Sequence, residues 1–420
     1  MTRQALMENV YLNYIPSEKF KTGFLSAQLV MPLERESAAL NALLVNVLSR
    51  GTVRCPDMAA ISARLDALYG ARLEPTVRKK GENQVFGFVA SSIDERFLPE
   101  GERLLEPLTD LLGDMLCNPA TKNGRLNGAY VDSERVNLAD LIRSDINDKR
   151  LYAGRRLIEE MCAGEPYGIS RLGEVRDVER ISLQKLNSHY QTILPAARLE
   201  LFYCGSAQEK RVAGAFSRAF AGLPRQGLVE PAAAVLRPAP EQCRVVEEAM
   251  DVAQGKLCIG FRTDSTDVPA TMLMNAMFGG TSNSKLFLNV REKLSLCYYA
   301  GSSYHRKKGI ITVSSGIEPV NYQRAVDEIM AQLEALRRGQ WEAWELEGAR
   351  SSILHALRSM EDSAGAMEDF TMHQMATNGD ETIEGLAESV RLVSPERIQA
   401  AAEHVRPDTI YFLKGKEEQA

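Results

Sequence analysis

The sequence repeats short stretches of its own text, in the same order, in its two halves. Four pairs align: residues 49–52 with 278–281, which share Gly-Thr; 78–81 with 306–309, which both read Arg-Lys-Lys-Gly; 142–144 with 357–359, which share Arg-Ser; and, more loosely, 180–181 with 392–393. The separations fall steadily, as 278 − 49 = 229, 306 − 78 = 228, 357 − 142 = 215 and 392 − 180 = 212. Because chance matches have no reason to keep this order, the sequence predicts an internal duplication.

Each half combines hairpin-forming strands with runs of helix. The first half opens with alternating strands at residues 10–15 and 22–31, and its first helix, at 36–49, has apolar residues at helical spacing. Long continuous helices are predicted near residues 127–161 and 342–375. This mixture predicts an α+β fold with two homologous half-domains, each a mostly antiparallel sheet with helices packed on one face.

A piece rich in proline and alanine separates the two halves. Residues 224–240 have this composition, which is typical of a linker. The sequence therefore predicts an N-terminal half-domain at 1–223 and a C-terminal half-domain at 241–420. Two such halves would enclose a cleft, and clefts between domains are common ligand sites.

Charge and composition argue against several classes of protein. The net charge is −6, and the one short basic run, 306–308, is most simply a solvated turn, so we expect no nucleic-acid partner. The seven cysteines include no Cys-x-x-Cys pair, which favours free thiols in a reducing compartment. There is no apolar run of about 18 residues and no apolar start typical of a signal peptide. We expect a cytoplasmic protein with no membrane partner.

The stretch from residue 278 to 316 concentrates residues suited to binding. It opens with Gly279 and Gly280, where the backbone can bend or approach a ligand closely. Arg291 and Tyr298 follow, the first off the apolar face of a predicted helix and the second where the pattern becomes extended. The apolar face of that helix is formed by Leu286, Phe287, Val290 and Leu294. The pattern predicts an arginine and a tyrosine near one edge of a sheet.

This text resembles the insulinase and pitrilysin family of zinc peptidases, and the resemblance covers essentially the whole chain. The family shows a Gly-Gly turn, then Arg-Glu-Lys, then a tyrosine seven residues after the arginine. Here these are Gly279-Gly280, residues 291–293 and Tyr298, with 298 − 291 = 7. The resemblance implies a catalytic half that holds zinc and a second half that carries the arginine and tyrosine. It also implies that the two halves close over an extended peptide.

The first half departs from the family at the zinc helix. The family carries His-x-x-Glu-His shortly before a Gly-Thr pair, and the corresponding positions here hold Ala42, Val45 and Asn46. Alanine and valine have no donor atoms, and the asparagine oxygen is a poor zinc ligand. The nearest carboxylates for a later ligand are Glu134 and Asp140, and neither fits the expected spacing well. The resemblance implies no metal in this chain and zinc on a catalytic partner.

The expected function is that of a non-catalytic, pitrilysin-like chain that binds substrate. The resemblance assigns substrate contact to Arg291, Tyr298, Gly279 and Gly280, and no catalytic residue. Arginine and tyrosine are strong donors, able to bind a scissile carbonyl as it gains negative charge. The implied partners are a peptide or unfolded protein segment, and a catalytic pitrilysin-like subunit or a second copy of the chain.

Other interpretations of the same residues stay open. Arg291 and Tyr298 can be an exposed helix charge and a half-buried aromatic residue, Tyr299 can take the place of Tyr298, and the glycine pair can be a plain turn. The chain can be a peptide-binding or scaffold protein with no part in hydrolysis. A third alternative is an active metallopeptidase with an unrecognised site.

Overall fold

A computed structural model describes residues 1–416 and divides into two compact units. Unit 1 comprises Met1–Arg143, Ile169–Ala233 and Ser363–Asp380. Unit 2 comprises Ser144–Gly168, Ala234–Asp362 and the residues from Glu381 onwards. Each unit thus contains one short segment taken from the opposite half of the sequence.

Unit 1 is built on a six-stranded sheet with the order β1-β2-β8-β3-β5-β4. All neighbours pair antiparallel except β2 and β8, which are parallel. A separate small hairpin is formed by β6 and β7. The strands are β1 Thr2–Met7, β2 Val10–Pro16, β3 Thr22–Pro32, β4 Arg72–Lys80, β5 Asn83–Ile93, β6 Thr121–Lys122, β7 Arg125–Leu126 and β8 Arg198–Gly205.

Unit 2 has a five-stranded sheet with the order β11-β12-β10-β13-β9. Its one parallel pair is β13 with β9. Its strands are β9 Arg244–Met250, β10 Gly255–Thr263, β11 Cys297–His305, β12 Ile310–Ile317 and β13 Val405–Gly415. Written from the other edge, the order β9-β13-β10-β12-β11 repeats β2-β8-β3-β5-β4, and the parallel pairs coincide. The predicted duplication is therefore confirmed by the topology of the two sheets.

The repeated Arg-Lys-Lys-Gly text lies at equivalent hairpins. Gly81 is in the turn between β4 and β5, with φ 57°, and Gly309 is in the turn between β11 and β12, with φ 63°. Glycine adopts this left-handed conformation without steric cost. The text is thus repeated because the same turn has to be made twice.

The helices divide between the two units. Unit 1 contains α1 Arg35–Leu48, α2 Met58–Ala67, α3 Leu105–Cys117, α4 Gly128–Ser144, α6 Val175–Glu179, α7 Leu183–Ala196, α8 Glu209–Ala219 and α12 Ala364–Ala376. Unit 2 contains α5 Lys149–Met161, α9 Val268–Asn275, α10 Tyr322–Arg337, α11 Ala343–Met360, α13 Ile383–Arg391 and α14 Pro395–Glu403. In the described part of the chain, every helix is too short or too polar to cross a bilayer.

The prediction of two long continuous helices is wrong. Each of the two segments is interrupted, and the interruptions lie at equivalent positions in the two halves. Asp148 accepts the N–H groups of residues 150 and 151 and begins α5. Ser363 accepts the N–H of residue 366 and begins α12. These capping side chains satisfy donors that a helix start leaves without partners. The separation is 363 − 148 = 215, the same as for the Arg-Ser repeat. Close to each of these points, the chain passes from one unit to the other.

The helix α12 lies on one face of the unit 1 sheet. Along β3, Leu25, Ala27 and Leu29 belong to the main core, which contains the buried residues of α1 and α3. The alternate residues face the other way: Ser26 donates to Glu368 of α12 over 2.9 Å, and Val30 packs with Ala376. The predicted fold class is confirmed, and in addition a helix from the second half covers the remaining sheet face.

The helix α5 packs in the same way on the sheet of unit 2. Ala153 and Leu157 pack against Cys258, Tyr411 and Leu413 of the sheet. An arginine holds the C-terminal end of each exchanged helix. In unit 2, Arg262 donates to the Met161 carbonyl over 2.9 Å, and in unit 1 Arg198 donates to the Met375 carbonyl.

Candidate functional site

The segments around the glycine pair and the arginine are both π-helical. The sequence predicted a turn at the glycine pair and an amphipathic helix at the arginine. The two stretches are Ala276–Gly280 and Leu286–Lys293, both in unit 2. Leu286 and Val290 are fully buried. Two residues of the predicted apolar face are therefore buried as expected. The wider turn of a π-helix, however, changes which residues lie outside that face. Such turns are rare in proteins and frequent at functional sites.

A fixed turn joins Arg291 to Tyr298. Ser295 has φ 49°, an uncommon conformation for a residue other than glycine. The Leu296 N–H donates to the carbonyl of Val290 over 3.0 Å, which closes the turn back onto the helical segment. This turn therefore fixes the path of the backbone between the arginine and the tyrosine.

The Arg291 side chain is 40% exposed. Its guanidinium lies 3.3 Å from the carboxylate of Glu292 and 4.6 Å from the ring centre of Phe287. Burial raises the pKa of the Cys297 thiol, and a hydrogen bond to Ser315 and the charge of Arg291 oppose that rise. The arginine therefore lies close to the start of β11, the strand that carries Tyr298.

Tyr298 is 67% exposed and is the extra residue of a β-bulge. On β11, Cys297 pairs with Ile317 and Tyr299 pairs with Gly316, so no partner is opposite Tyr298. A bulge re-aims a side chain and interrupts the ladder locally. The neighbouring Tyr299 is half-buried, so the bulge makes the two tyrosines unequal.

Gly279 is required by packing. A Cβ atom at this position would lie 2.7 Å from the Ser302 backbone nitrogen on β11. Ser302 also donates to the Asn275 side-chain oxygen over 2.7 Å, which fixes the turn against the strand. Gly280 is exposed and has more room, with the Asn275 side-chain nitrogen at 3.1 Å from an added Cβ. The sequence left two interpretations of the glycine pair equally open, a plain turn and a loop that lets the backbone approach a ligand. The close contact at Gly279 is with strand β11 of the same unit.

A buried ion pair that the sequence did not reveal supports the arginine segment. Lys285 lies 2.9 Å from Glu345 on α11, and both side chains are at least nine-tenths buried. The same carboxylate accepts the Glu342 N–H over 2.8 Å, in a capping box that begins α11. The π-helical segment that carries Arg291 is therefore anchored at its first turn. The two partners are 60 positions apart, so no local sequence pattern joins them.

The positions of the missing zinc ligands lie on α1 in unit 1. Ala42 and Val45 are fully buried in the core, and Asn46 is half-buried. Among residues 1–416 there is no group of three or more His, Cys, Asp or Glu side chains arranged to hold a metal ion. The residues present at the family's zinc positions therefore do not fit a zinc ion.

Arginines bind both carboxylates considered as a later ligand. The Arg50 guanidinium lies 2.8 Å from Glu134 on α4, which is almost completely buried. Asp140 is exposed and pairs with Arg143 over 2.8 Å. Of the two, only Glu134 is directed towards the residues that follow α1.

A buried polar network adjoins these positions, and no sequence pattern predicted it. Asn41 is fully buried on α1; its amide donates to Gln84 over 2.7 Å, and its oxygen lies 2.6 Å from His189 Nε2 on α7. Burial, with a smaller contribution from Lys185, lowers the pKa of His189 to about 4. The histidine is neutral at pH 7 and serves this network.

Known proteins match the chain along its full length. Residues 180–353 match the family described as Peptidase M16 inactive domain. A Bacillus subtilis (strain 168) protein named "Probable inactive metalloprotease YmfF" is 35% identical over 408 residues, which cover 96% of this chain and 95% of that protein.

Two solved structures share the fold. The crystal structure of a conserved protein from Enterococcus faecalis V583 has a TM-score of 0.91 at 27% identity, covering 100% of this chain and 99% of that one. A peptidase M16 inactive domain from Pseudomonas fluorescens has a TM-score of 0.80 at 15% identity, with coverages of 100% and 99%. The chain therefore belongs to the M16 peptidase family, the insulinase and pitrilysin family that its motifs resemble, as a member without the residues that bind zinc.

Proposed function

We propose that the chain is a non-catalytic M16 subunit that binds a peptide through Arg291 and Tyr298 beside a catalytic partner chain. One observation carries the proposal. The two donor side chains are retained and exposed in unit 2, whereas the metal positions hold Ala42, Val45 and Asn46. A chain that only supported an assembly would have no need of this pair.

The surroundings of Arg291 suit a residue that changes partners. Its ion pair with Glu292 is solvent-exposed, and such pairs contribute about 0–1 kcal/mol. A peptide carbonyl can therefore displace the carboxylate at little cost. Tyr298 adds a phenolic donor from the next segment of the chain. Two donors aimed at one carbonyl stabilise the negative charge that hydrolysis places on its oxygen.

The sheet edge beside the pair suits an extended peptide. β11 is the terminal strand of the unit 2 sheet and pairs through one of its sides with β12. A peptide added to such an edge gains main-chain hydrogen bonds, and its alternate side chains contact the surrounding surface. Tyr298 lies at the start of this edge strand and would contact the peptide there. The glycine pair contributes by letting the arginine segment pack against the strand.

Zinc, in this proposal, belongs to the partner. Hydrolysis needs a metal with about three protein ligands and an open position for water. We propose a partner with an intact His-x-x-Glu-His helix, which a second copy of this chain would not supply. The seven free cysteines support a reducing compartment such as the cytoplasm as the place where the two chains meet.

The test is an assay of each chain alone and of their mixture, with zinc and unfolded peptides as substrate. The partner is an M16 chain with the intact motif from the same organism. We expect cleavage by the mixture well above the sum of the separate chains, and its loss in the Arg291→Ala variant. Arg324→Ala, which removes another exposed arginine of unit 2, is the matched control.

A result in which Arg291→Ala still assembles and supports full cleavage contradicts the substrate-binding role. A scaffold function would then take its place. Stoichiometric zinc in this purified chain, measured by elemental analysis, would instead favour an active peptidase with a different site.

A further inference from the structure

We infer that Arg150 and Tyr299 of unit 2 form a subsite for an acidic side chain of the peptide bound at the β11 edge. This role rests on the proposed function, which places an extended peptide beside β11. It adds a preference for peptides that carry a carboxylate at one fixed position, next to the residue that contacts Tyr298.

The register of the sheet decides on which face Tyr299 lies. Tyr299 pairs with Gly316 on β12, and Gly316 pairs with Lys256 on β10, so the three residues share one face. Two residues further along β10, Cys258 points to the same face and packs against Ala153 of α5. Tyr299 therefore lies on the face that α5 covers, on the terminal strand of the sheet.

The Tyr299 ring lies between a glycine and an arginine. A Cβ atom at Gly316 would be only 2.6 Å from Cε1 of the ring, so the absence of a side chain there makes room for the tyrosine. The guanidinium carbon of Arg150, in the first turn of α5, lies 4.3 Å from the ring centre. This is a cation–π contact, and it holds the guanidinium beside the edge of the sheet.

The charge of Arg150 is available to a ligand. The residue is exposed, and it makes no ion pair with a carboxylate among residues 1–416. The nearby Asp148 side chain accepts the N–H groups of residues 150 and 151 as the cap of α5. Burial lowers the pKa of Lys256; the charge of Asp148 opposes this change and that of Arg150 adds to it. One carboxylate thus lies close to two cations, which leaves an excess of positive charge.

A peptide on the β11 edge presents a side chain to this charge. Residues directly opposite each other on antiparallel strands have Cβ atoms about 4.5–5.5 Å apart on the same face. The peptide residue opposite Tyr299 therefore lies beside its ring, within reach of the Arg150 guanidinium. A carboxylate at that position accepts a charge-assisted hydrogen bond. Because the two tyrosines are consecutive, the acidic residue is adjacent to the one that contacts Tyr298.

The test is peptide binding by the full chain alone, measured by fluorescence anisotropy, so that no catalytic partner is needed. The probes are two fluorescein-labelled unstructured peptides that differ at one central residue, glutamate in the first and glutamine in the second. We expect the natural chain to bind the glutamate peptide about three- to fivefold more tightly, the size of a partly exposed charge pair. Arg150→Ala should remove this preference.

Charge reversal distinguishes recognition from support of the ring. In Arg150→Glu, a third peptide with lysine at the same position should bind more tightly than the glutamate peptide. A residue that only packed on Tyr299 would produce no such reversal. Lys149 bonds to the Ile146 carbonyl over 2.8 Å, so Lys149→Ala is the matched control. It removes a positive charge from the preceding position and should keep the preference of the natural chain.

Equal binding of the glutamate and glutamine peptides by the natural chain overturns the inference, and so does a preference that survives in Arg150→Ala. Neither result affects the proposed function, which the mixed chains test separately through Arg291→Ala. If the natural chain binds none of the three peptides, the inference is also overturned, and the assay of the mixed chains then decides on the proposed function.

Discussion

Arg78 on β4 binds Glu368 on α12 through two hydrogen bonds of 2.6 and 2.8 Å, although 290 residues separate them in the sequence. Ser26 of β3 donates to the same carboxylate, so three side chains meet under the exchanged helix. Each charge is satisfied only while α12 lies on the unit 1 sheet. This pairing holds Ser363–Asp380, a segment of the second half of the sequence, in the first unit.

The first prediction concerns this pair. Glu368→Gln leaves the Arg78 guanidinium, which is largely buried, without its main counter-ion, and we expect a loss of about 3 kcal/mol in the free energy of unfolding. Urea unfolding at pH 7 measures it. Arg35→Met, which breaks an exposed pair with Glu174, is the control and should cost less than about 1 kcal/mol. Equal losses in the two variants would contradict the importance assigned to the buried pair.

The second prediction follows from His189. Its pKa is about 4 in the folded chain, against 6.5 when unperturbed, so the unfolded chain binds the proton more tightly. The stabilisation by this neutral histidine is complete above about pH 6.5 and is lost as the pH falls towards 4, by up to about 3 kcal/mol. We compare unfolding free energies at pH 7 and 4.5. In His189→Gln, which still reaches Asn41, the loss on acidification should be clearly smaller. An unchanged pH dependence would disprove this assignment.

The third prediction concerns the glycine pair. Gly279→Ala places a methyl group 2.7 Å from the Ser302 nitrogen, and the backbone of β11 cannot move easily. We expect a loss of about 1–3 kcal/mol in stability. In the helix α11, Gly348 has nothing within 4 Å of an added Cβ, so Gly348→Ala should instead stabilise by about 0.5–1 kcal/mol. Thermal unfolding of both variants is decisive, and a Gly279→Ala chain as stable as the natural one would contradict the packing argument.

Much of the fold could be predicted from the sequence because it is repeated. The strands β2, β3, β4, β5 and β8 of unit 1, and β10, β11, β12 and β13 of unit 2, carry alternating or continuous apolar residues that local patterns detect. The strands β1 and β9 were missed because both are sheet edges with few buried residues. The interruptions at Asp148 and Ser363 were missed because no glycine or proline immediately precedes either residue to mark the break. What ends those helices is the change of unit, which is a long-range property.

The candidate site divides in the same way. Arg291, Tyr298 and the two glycines could be proposed from the sequence because they lie within twenty residues and match a family motif. The bulge that exposes Tyr298 depends on pairing with β12, which no local pattern reveals. The buried pairs Lys285 with Glu345 and Arg50 with Glu134 join residues 60 and 84 positions apart, as 345 − 285 and 134 − 50. Such partners become visible only in three dimensions.

The most direct test of the account removes a single oxygen atom. Tyr298→Phe keeps the ring and the bulge but deletes the phenolic donor, so the assembly with the catalytic partner should form normally. We predict that kcat/KM of the mixed chains on an unfolded peptide falls at least about tenfold, in the range known for loss of a donor to a developing oxyanion. Tyr69→Phe, at another exposed tyrosine, should leave it unchanged. A Tyr298→Phe assembly that cleaves peptide at the natural rate would contradict the claim that this chain binds the substrate.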